Sequence, residues 1–206
     1  MNRLKSIIPN SFTTGNLLGG ILAIILVFSG RIDLAPWCIF ASAMFDFFDG
    51  FLARLLKVDG ELGKQLDSLA DMITFGVAPG IMIMGLLIFS FFTQSDFYQN
   101  QLINSPDVSI LDFGQTSNLS MKFWMNDSFN AIPEIGHKLD EKVRFLPFLG
   151  LLFPVFALFR LAKFNIDTRQ SDSFIGLPTP GATLYFAVFP LILSGMDSTI
   201  FGVKGP

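Results

Sequence analysis

The chain has 206 residues, of which 51% are hydrophobic and 15% charged, and its mean hydropathy is +0.55. A soluble domain carries about 25% charged residues, so this composition belongs to a membrane protein. The net charge of -3 says little by itself, and nothing points to nucleic-acid binding: there is no basic stripe and no base-reading motif.

A membrane-spanning helix needs about 20 apolar residues. Five segments qualify: 12–29, 34–56, 67–93, 144–165 and 180–202. Residues 1–5 are basic and precede an apolar stretch, as in a signal peptide. Pro9, Asn10, Thr13 and Asn16 interrupt that entry and no small-residue cleavage site follows, so the first span is expected to stay on the chain. Short connections at 30–33 and 57–64 join the first three spans, with Gly30 and Gly60 as expected helix-ending residues. The single Cys38 lies in an apolar run; it has no partner for an internal disulfide and is expected to be a small buried residue.

Residues 94–143 are rich in Asn, Gln, Ser and Asp and are expected to form a polar insertion, an Ω-like loop with short helices. His137 within it has no second His or Cys nearby and is expected at the surface. Three basic sets, Arg3 and Lys5, then Arg54, Lys57 and Lys64, then Arg160, Lys163 and Arg169, fall on one side of a five-span chain. The acidic insertion falls on the other side, and the basic side is cytoplasmic by the positive-inside rule. The expected fold class is all-α: a polytopic integral membrane helix bundle in the cell (inner) membrane. It would be one domain, 1–206, with an extracytoplasmic insertion at 94–143.

Asp46, Asp49, Asp67 and Asp71 stand in or beside the second and third spans. Carboxylates near lipid are costly and are normally functional. Four together repel one another and call for cations. At 100° per residue, Asp46, Asp49, Gly50, Ala53, Arg54 and Lys57 share one helix face, while Phe47, Phe48, Phe51 and Leu52 point toward lipid or neighbours. Gly63, Asp67, Asp71 and Thr74 share a face of the next span. The short connection makes these two helices antiparallel neighbours, so the polar faces can meet near the cytoplasmic end. Carboxylates without His or Cys suit hard divalent cations, Mg²⁺ or Mn²⁺. Two such ions are an established arrangement for phosphoryl chemistry. Gly50 and Ala53 leave room for a ligand to approach the backbone, and Arg54 offers a forked donor suited to phosphate.

The bland alternative is an ion network in which Arg54, Lys57 and Lys64 neutralise the Asp residues and fix helix packing. Such a network has no use for Gly and Ala on the same face. A third reading is a cation transporter, but inverted repeats and broken midplane helices are not visible.

The spacing Asp46-x2-Asp49-Gly50-x2-Ala53-Arg54-x8-Gly63-x3-Asp67-x3-Asp71 resembles the signature of the CDP-alcohol phosphatidyltransferases at every fixed position. The resemblance implies a site of two metal ions held by Asp46, Asp49, Asp67 and Asp71. It implies that Asp71 is also the base for the attacking hydroxyl. It further implies CDP contacts from Gly50, Ala53, Arg54 and Gly63, with CDP-diacylglycerol as donor and CMP leaving. Pro9-Asn10-x2-Thr13-x2-Asn16 is similar to the family's entry to its first span, which implies that Thr13 and Asn16 also serve CDP. Helix capping by Asn10 or Ser11, with small-residue packing at Gly19 and Gly20, is the alternative there.

Three further stretches are similar to a serine-using branch of the family. They run from Thr74 to Pro79, from Arg160 to Asn165 and from Gly176 to Pro180, with Thr74 in place of Ser and Lys163 in place of Arg. They imply that L-serine is the acceptor and that Arg160, Lys163 and Asn165 bind it; snorkelling at the interface is the alternative. Glycerol 3-phosphate or inositol phosphate are other acceptors within the class, but a phosphorylated acceptor should want more cations. The family also implies a homodimer and a core of six spans, against the five read here.

Overall fold

The computed structural model describes residues 2–58, 60–94, 113–129, 145–166 and 178–196. Every regular element among them is helical: α1 (Asn2–Phe28), α2 (Ala35–Leu56), α3 (Glu61–Asp71), a π-helical segment (Met72–Val77), α4 (Ala78–Thr93), α5 (Phe113–Phe129), a 3-10 segment (Leu146–Leu151), α6 (Leu152–Ile166) and α7 (Thr179–Met196). The protein is an all-α membrane helix bundle. Three stretches are long and apolar enough to cross a membrane: Ile7–Phe28, Glu61–Thr93 and Leu146–Lys163. With 22 residues α2 has the length, but Asp46, Asp49 and Arg54 dilute its hydropathy. The last part of the expected fifth span, 197–202, lies outside the described residues, as does His137.

Two tight turns set the topology. Gly30 closes α1 at φ 74°; its N–H donates to the Val27 carbonyl at 2.9 Å and the Arg31 N–H to Leu26 at 2.8 Å. That is the left-handed helix stop a glycine favours. The second stop differs from expectation. Lys57, not Gly60, is left-handed, at φ 52°, and Val58 N–H donates back to Ala53 at 3.1 Å. Gly60 is extended, at φ -116°, and starts α3. Chain direction therefore alternates. The start of α1, the end of α2, the start of α3, the end of α6 and the start of α7 share one end of the bundle.

The apolar core lies toward the opposite end, where Val27, Ile32, Ile39, Met82, Ile88, Met121 and Trp124 are buried together. There the polar insertion contributes more than a loop. Its described part is the 17-residue α5, which seats against the α1–α2 turn. Asn118 Nδ2 donates to the Ser29 carbonyl at 2.6 Å, and Ser117 Oγ donates to the Gly30 carbonyl. These are carbonyls that a helix end leaves without a partner. A Cβ on Gly30 would stand 2.2 Å from Asn118 Cα. Gly30→Ala is thus expected to lower stability by about 1–3 kcal/mol, from overpacking and the positive φ together. The check is the thermal midpoint in detergent; an unchanged midpoint would show that α5 does not seat on this turn.

Inside lipid, burial of apolar surface does not drive helices together, so close backbone approach and hydrogen bonds must. A Cβ on Gly19 would meet Ser42 Oγ at 2.0 Å, and one on Gly20 would meet Thr74 Oγ1 at 2.4 Å. A Cβ on Gly150 would stand 2.6 Å from the Gly80 carbonyl oxygen. The helix-capping alternative for Asn10 and Ser11 does not hold, because α1 begins at Asn2 and runs through both. Ser11, Thr13 and Thr14 instead donate to carbonyls four residues back. The outward faces carry exposed aromatics, among them Phe47, Phe51, Phe156 and Phe159, as a lipid-facing surface should.

Candidate functional site

The end of α2 and the body of α3 meet beside the first half of α1. There a carboxylate oxygen from each of Asp46, Asp49 and Asp67 lies within 4.8 Å of the other two. Asp49 is 4% exposed. Asp49 Oδ2 and Asp67 Oδ1 are buried with no hydrogen-bond partner. Arg54, Lys57 and Lys64 form no ion pair with these Asp residues; the ion pair found among the described residues is Arg31–Asp33, at the far end. Arg54 Nε donates instead to the Gly50 carbonyl at 3.0 Å, along its own helix. An interhelical ion network therefore does not account for the cluster. An oxygen-only donor set with buried, unpartnered oxygens fits a hard divalent cation.

Asp71 adjoins that triplet from one side. It approaches the Asp46 carboxylate and accepts a hydrogen bond from Asn16 Nδ2 at 3.1 Å. Asn16 is fully buried, and its backbone carbonyl accepts from Thr74 Oγ1 at 3.0 Å. One residue of α1 thus grips both Asp71 and the turn that follows it.

That turn is the π-helical segment, and its cause is local. Pro79 has no N–H, so the Phe75 carbonyl four residues back has no α-helical donor. The backbone widens, and the Ala78 N–H reaches back to Ile73. The freed Phe75 carbonyl is taken by Thr183 Oγ1 of α7 at 2.7 Å. Such π turns within helices frequently mark functional sites.

A cavity of about 150 Å³ opens beside the cluster. Asp49 and Asp67 reach it, with Thr13, Gly50, Ala53 and Gly63 on its walls. A Cβ on Gly50 would meet nothing nearer than Arg54 at 3.9 Å, and one on Gly63 nothing nearer than Asn10 Oδ1 at 3.8 Å. Both glycines thus keep open space that a side chain would fill. Of the six expected CDP contacts, four line the cavity; Asn16 lies behind it on Asp71, and Arg54 is not among the lining residues, its Nε donating to the Gly50 carbonyl. Lys64 and Asn10 also line it and were not expected. The signal was available: Lys64 precedes Asp67 by three residues and Asn10 precedes Thr13 by three, so each shares a helix face with an expected residue.

On the other side of Asp71, α6 runs antiparallel to the π segment. Pro154 lies against Gly80 and Ala157 against Gly76. One turn further on, Arg160 falls at the level of the turn that follows Asp71. It is part-buried and donates to Thr179 Oγ1 at the start of α7. Lys163 is exposed, and the side chain of Asn165 lies outside the described residues.

Comparison with known proteins bears on this arrangement. A family model described as CDP-alcohol phosphatidyltransferase matches residues 6–96. The chain is 28% identical over 196 residues to the CDP-diacylglycerol–serine O-phosphatidyltransferase of Bacillus subtilis, covering 91% of this chain and 80% of that one. It is 28% identical over 186 residues to the Helicobacter pylori protein of the same name, covering 89% of this chain but 57% of that one. Archaetidylserine synthase of Methanothermobacter thermautotrophicus is 26% identical over 188 residues, with 89% and 58% covered. No solved structure matches the chain.

Proposed function

We propose that this protein, whose residues 6–96 match a family model described as CDP-alcohol phosphatidyltransferase, transfers the phosphatidyl group of CDP-diacylglycerol to the hydroxyl of L-serine, giving phosphatidylserine and CMP. The observation that carries this reading is the set of buried, unpartnered Asp oxygens beside a cavity whose walls are kept open by Gly50 and Gly63. Serine is supported by the reach of the similarity. It extends over 91% of this chain to a protein named for that acceptor, and so takes in α6 and at least part of α7 as well as residues 6–96.

Asp46, Asp49, Asp67 and Asp71 would hold two divalent cations, Mg²⁺ or Mn²⁺. Bound there, such ions neutralise the pyrophosphate and polarise the lipid-bearing phosphorus. The chain's own residues do the rest. Thr13, Gly50, Ala53 and Gly63 seat the CDP part, with Lys64 as the cation on the cavity wall. Arg54, held through Nε on the Gly50 carbonyl, offers its terminal nitrogens to a phosphate. Asn16 serves the nucleotide indirectly, by fixing one oxygen of Asp71. The other Asp71 oxygen takes the proton of the serine hydroxyl. As it does so, the serine oxygen bonds to the lipid-bearing phosphorus, the bond from that phosphorus to the CMP oxygen breaks, and CMP leaves. Arg160, Lys163 and Asn165 receive the serine carboxylate. The carboxylate end of the bundle faces the cytoplasm, where Lys57, Lys64 and Lys163 also lie, and the enzyme works as a homodimer in the cell membrane.

The test is direct. Purified protein with CDP-diacylglycerol, Mg²⁺ or Mn²⁺ and a panel of L-serine, glycerol 3-phosphate and inositol phosphate is assayed for CMP. Serine-dependent CMP release is expected. Release with another acceptor alone would keep the phosphatidyltransferase chemistry and remove serine.

A further inference from the structure

We propose that Thr179 is a positioning residue for the acceptor: its hydroxyl holds the Arg160 guanidinium at the level of Asp71, so that the serine carboxylate is bound with its hydroxyl toward the base. The proposal rests on the serine reading above and adds a residue to it.

Three observations converge on Thr179. Arg160 donates to its Oγ1 in a part-buried contact, and Thr179 itself is 4% exposed, so the accepting hydroxyl is enclosed by the fold. One turn along the same face of α7, Thr183 is fully buried and donates to the Phe75 carbonyl at 2.7 Å. That bond ties the start of α7 to the π segment directly after Asp71. Finally, the antiparallel packing of Pro154 on Gly80 and Ala157 on Gly76 brings Arg160 to the same level from α6.

The two threonines at i and i+4 thus act as a bracket. One fixes α7 to the helix that bears the base, and the other fixes the cation of α6 to α7. A guanidinium has five donors in a rigid fork, so the same group can bond a hydroxyl and a carboxylate together. Holding it there in advance spares the ordering of a long side chain when the acceptor binds.

The experiment compares wild type, Thr179→Val, Thr179→Ser, Arg160→Ala and the Arg160→Ala/Thr179→Val double variant, each as the full chain in detergent micelles. CMP release is followed against L-serine and, separately, against CDP-diacylglycerol. Thr179→Val should raise the KM for serine about tenfold, the worth of one hydrogen bond to a charged group. It should leave the KM for CDP-diacylglycerol and kcat within about twofold. Thr179→Ser should restore the serine KM. In the double variant the valine should add nothing to Arg160→Ala, because its effect passes through that side chain.

A Thr179→Val enzyme with an unchanged serine KM, or with both KM values and kcat altered alike, overturns the proposal. So does additivity in the double variant, or a Thr179→Ser enzyme that behaves like the valine form. Wild type without serine-dependent CMP release overturns the parent reading instead, so the two failures are told apart.

Discussion

Asp71→Asn is expected to lower CMP release by about 10³-fold or more, within the range that positioned acid–base groups contribute. The substitution keeps the shape and removes the charge, so it takes away the base and one anionic oxygen donor for the cations. Asparagine keeps the shape of aspartate and still offers a carbonyl oxygen to Asn16 Nδ2, which donates to Asp71 Oδ1 at 3.1 Å. The grip of α1 on this turn, including the bond from Thr74 to the Asn16 carbonyl, should therefore survive. What disappears is an oxygen able to accept a proton from the acceptor hydroxyl. Binding of CDP-diacylglycerol, measured by calorimetry in micelles, should be retained, since the cavity walls come from Thr13, Gly50, Ala53 and Gly63. Turnover close to wild type would remove Asp71 as the base.

The second large effect is metal dependence. Stripping divalent cations with a chelator should abolish CMP release, and Mg²⁺ or Mn²⁺ should restore it. Asp67→Ala should then raise the concentration of ion needed for half-maximal turnover by at least about tenfold, because even outer-shell partners of metal ligands cost about 10–100-fold. The reason is the placement of Asp67. It offers one oxygen within 4.8 Å of oxygens from Asp46 and Asp49, while its Oδ1 is buried without a donor. Full activity after chelation would leave the cluster without its proposed role.

The carboxylate cluster was legible in the chain because helical geometry is strict. Residues three and four apart share a face, and a short connection forces two helices to be neighbours. Gly50 and Gly63 were legible too, as positions where bulk would intrude. The π segment was harder. Its local cause, Pro79 four residues after Phe75, is written in the sequence. The donor that accepts the consequence is Thr183, 108 residues away, and only the fold brings the two together. The end of α2 at Leu56 was legible from the second span, but its stop residue was not: Gly60 is intrinsically the better left-handed residue, yet Lys57 takes that conformation. The helix α5 was obscured by its own polarity. Thr116, Ser117 and Ser120 read as loop residues, whereas in the fold they are buried against the bundle and two of them hydrogen-bond to backbone carbonyls. Asn16 was expected beside the nucleotide and is found on Asp71, since its depth in α1 could not be judged from its spacing alone.

The buried oxygens of Asp49 and Asp67 bear on the lifetime of the protein as well as on its chemistry. Newly inserted chains must bring these groups together with no donor to answer them. An ion that binds only the assembled form draws the equilibrium toward it by mass action. Molecules without it are the ones that open most often, and in a cell it is the opened form that proteases remove. Divalent cation supply would then set how many copies the membrane keeps, and scarcity would shrink phospholipid output twice over, through idle enzyme and through enzyme already degraded.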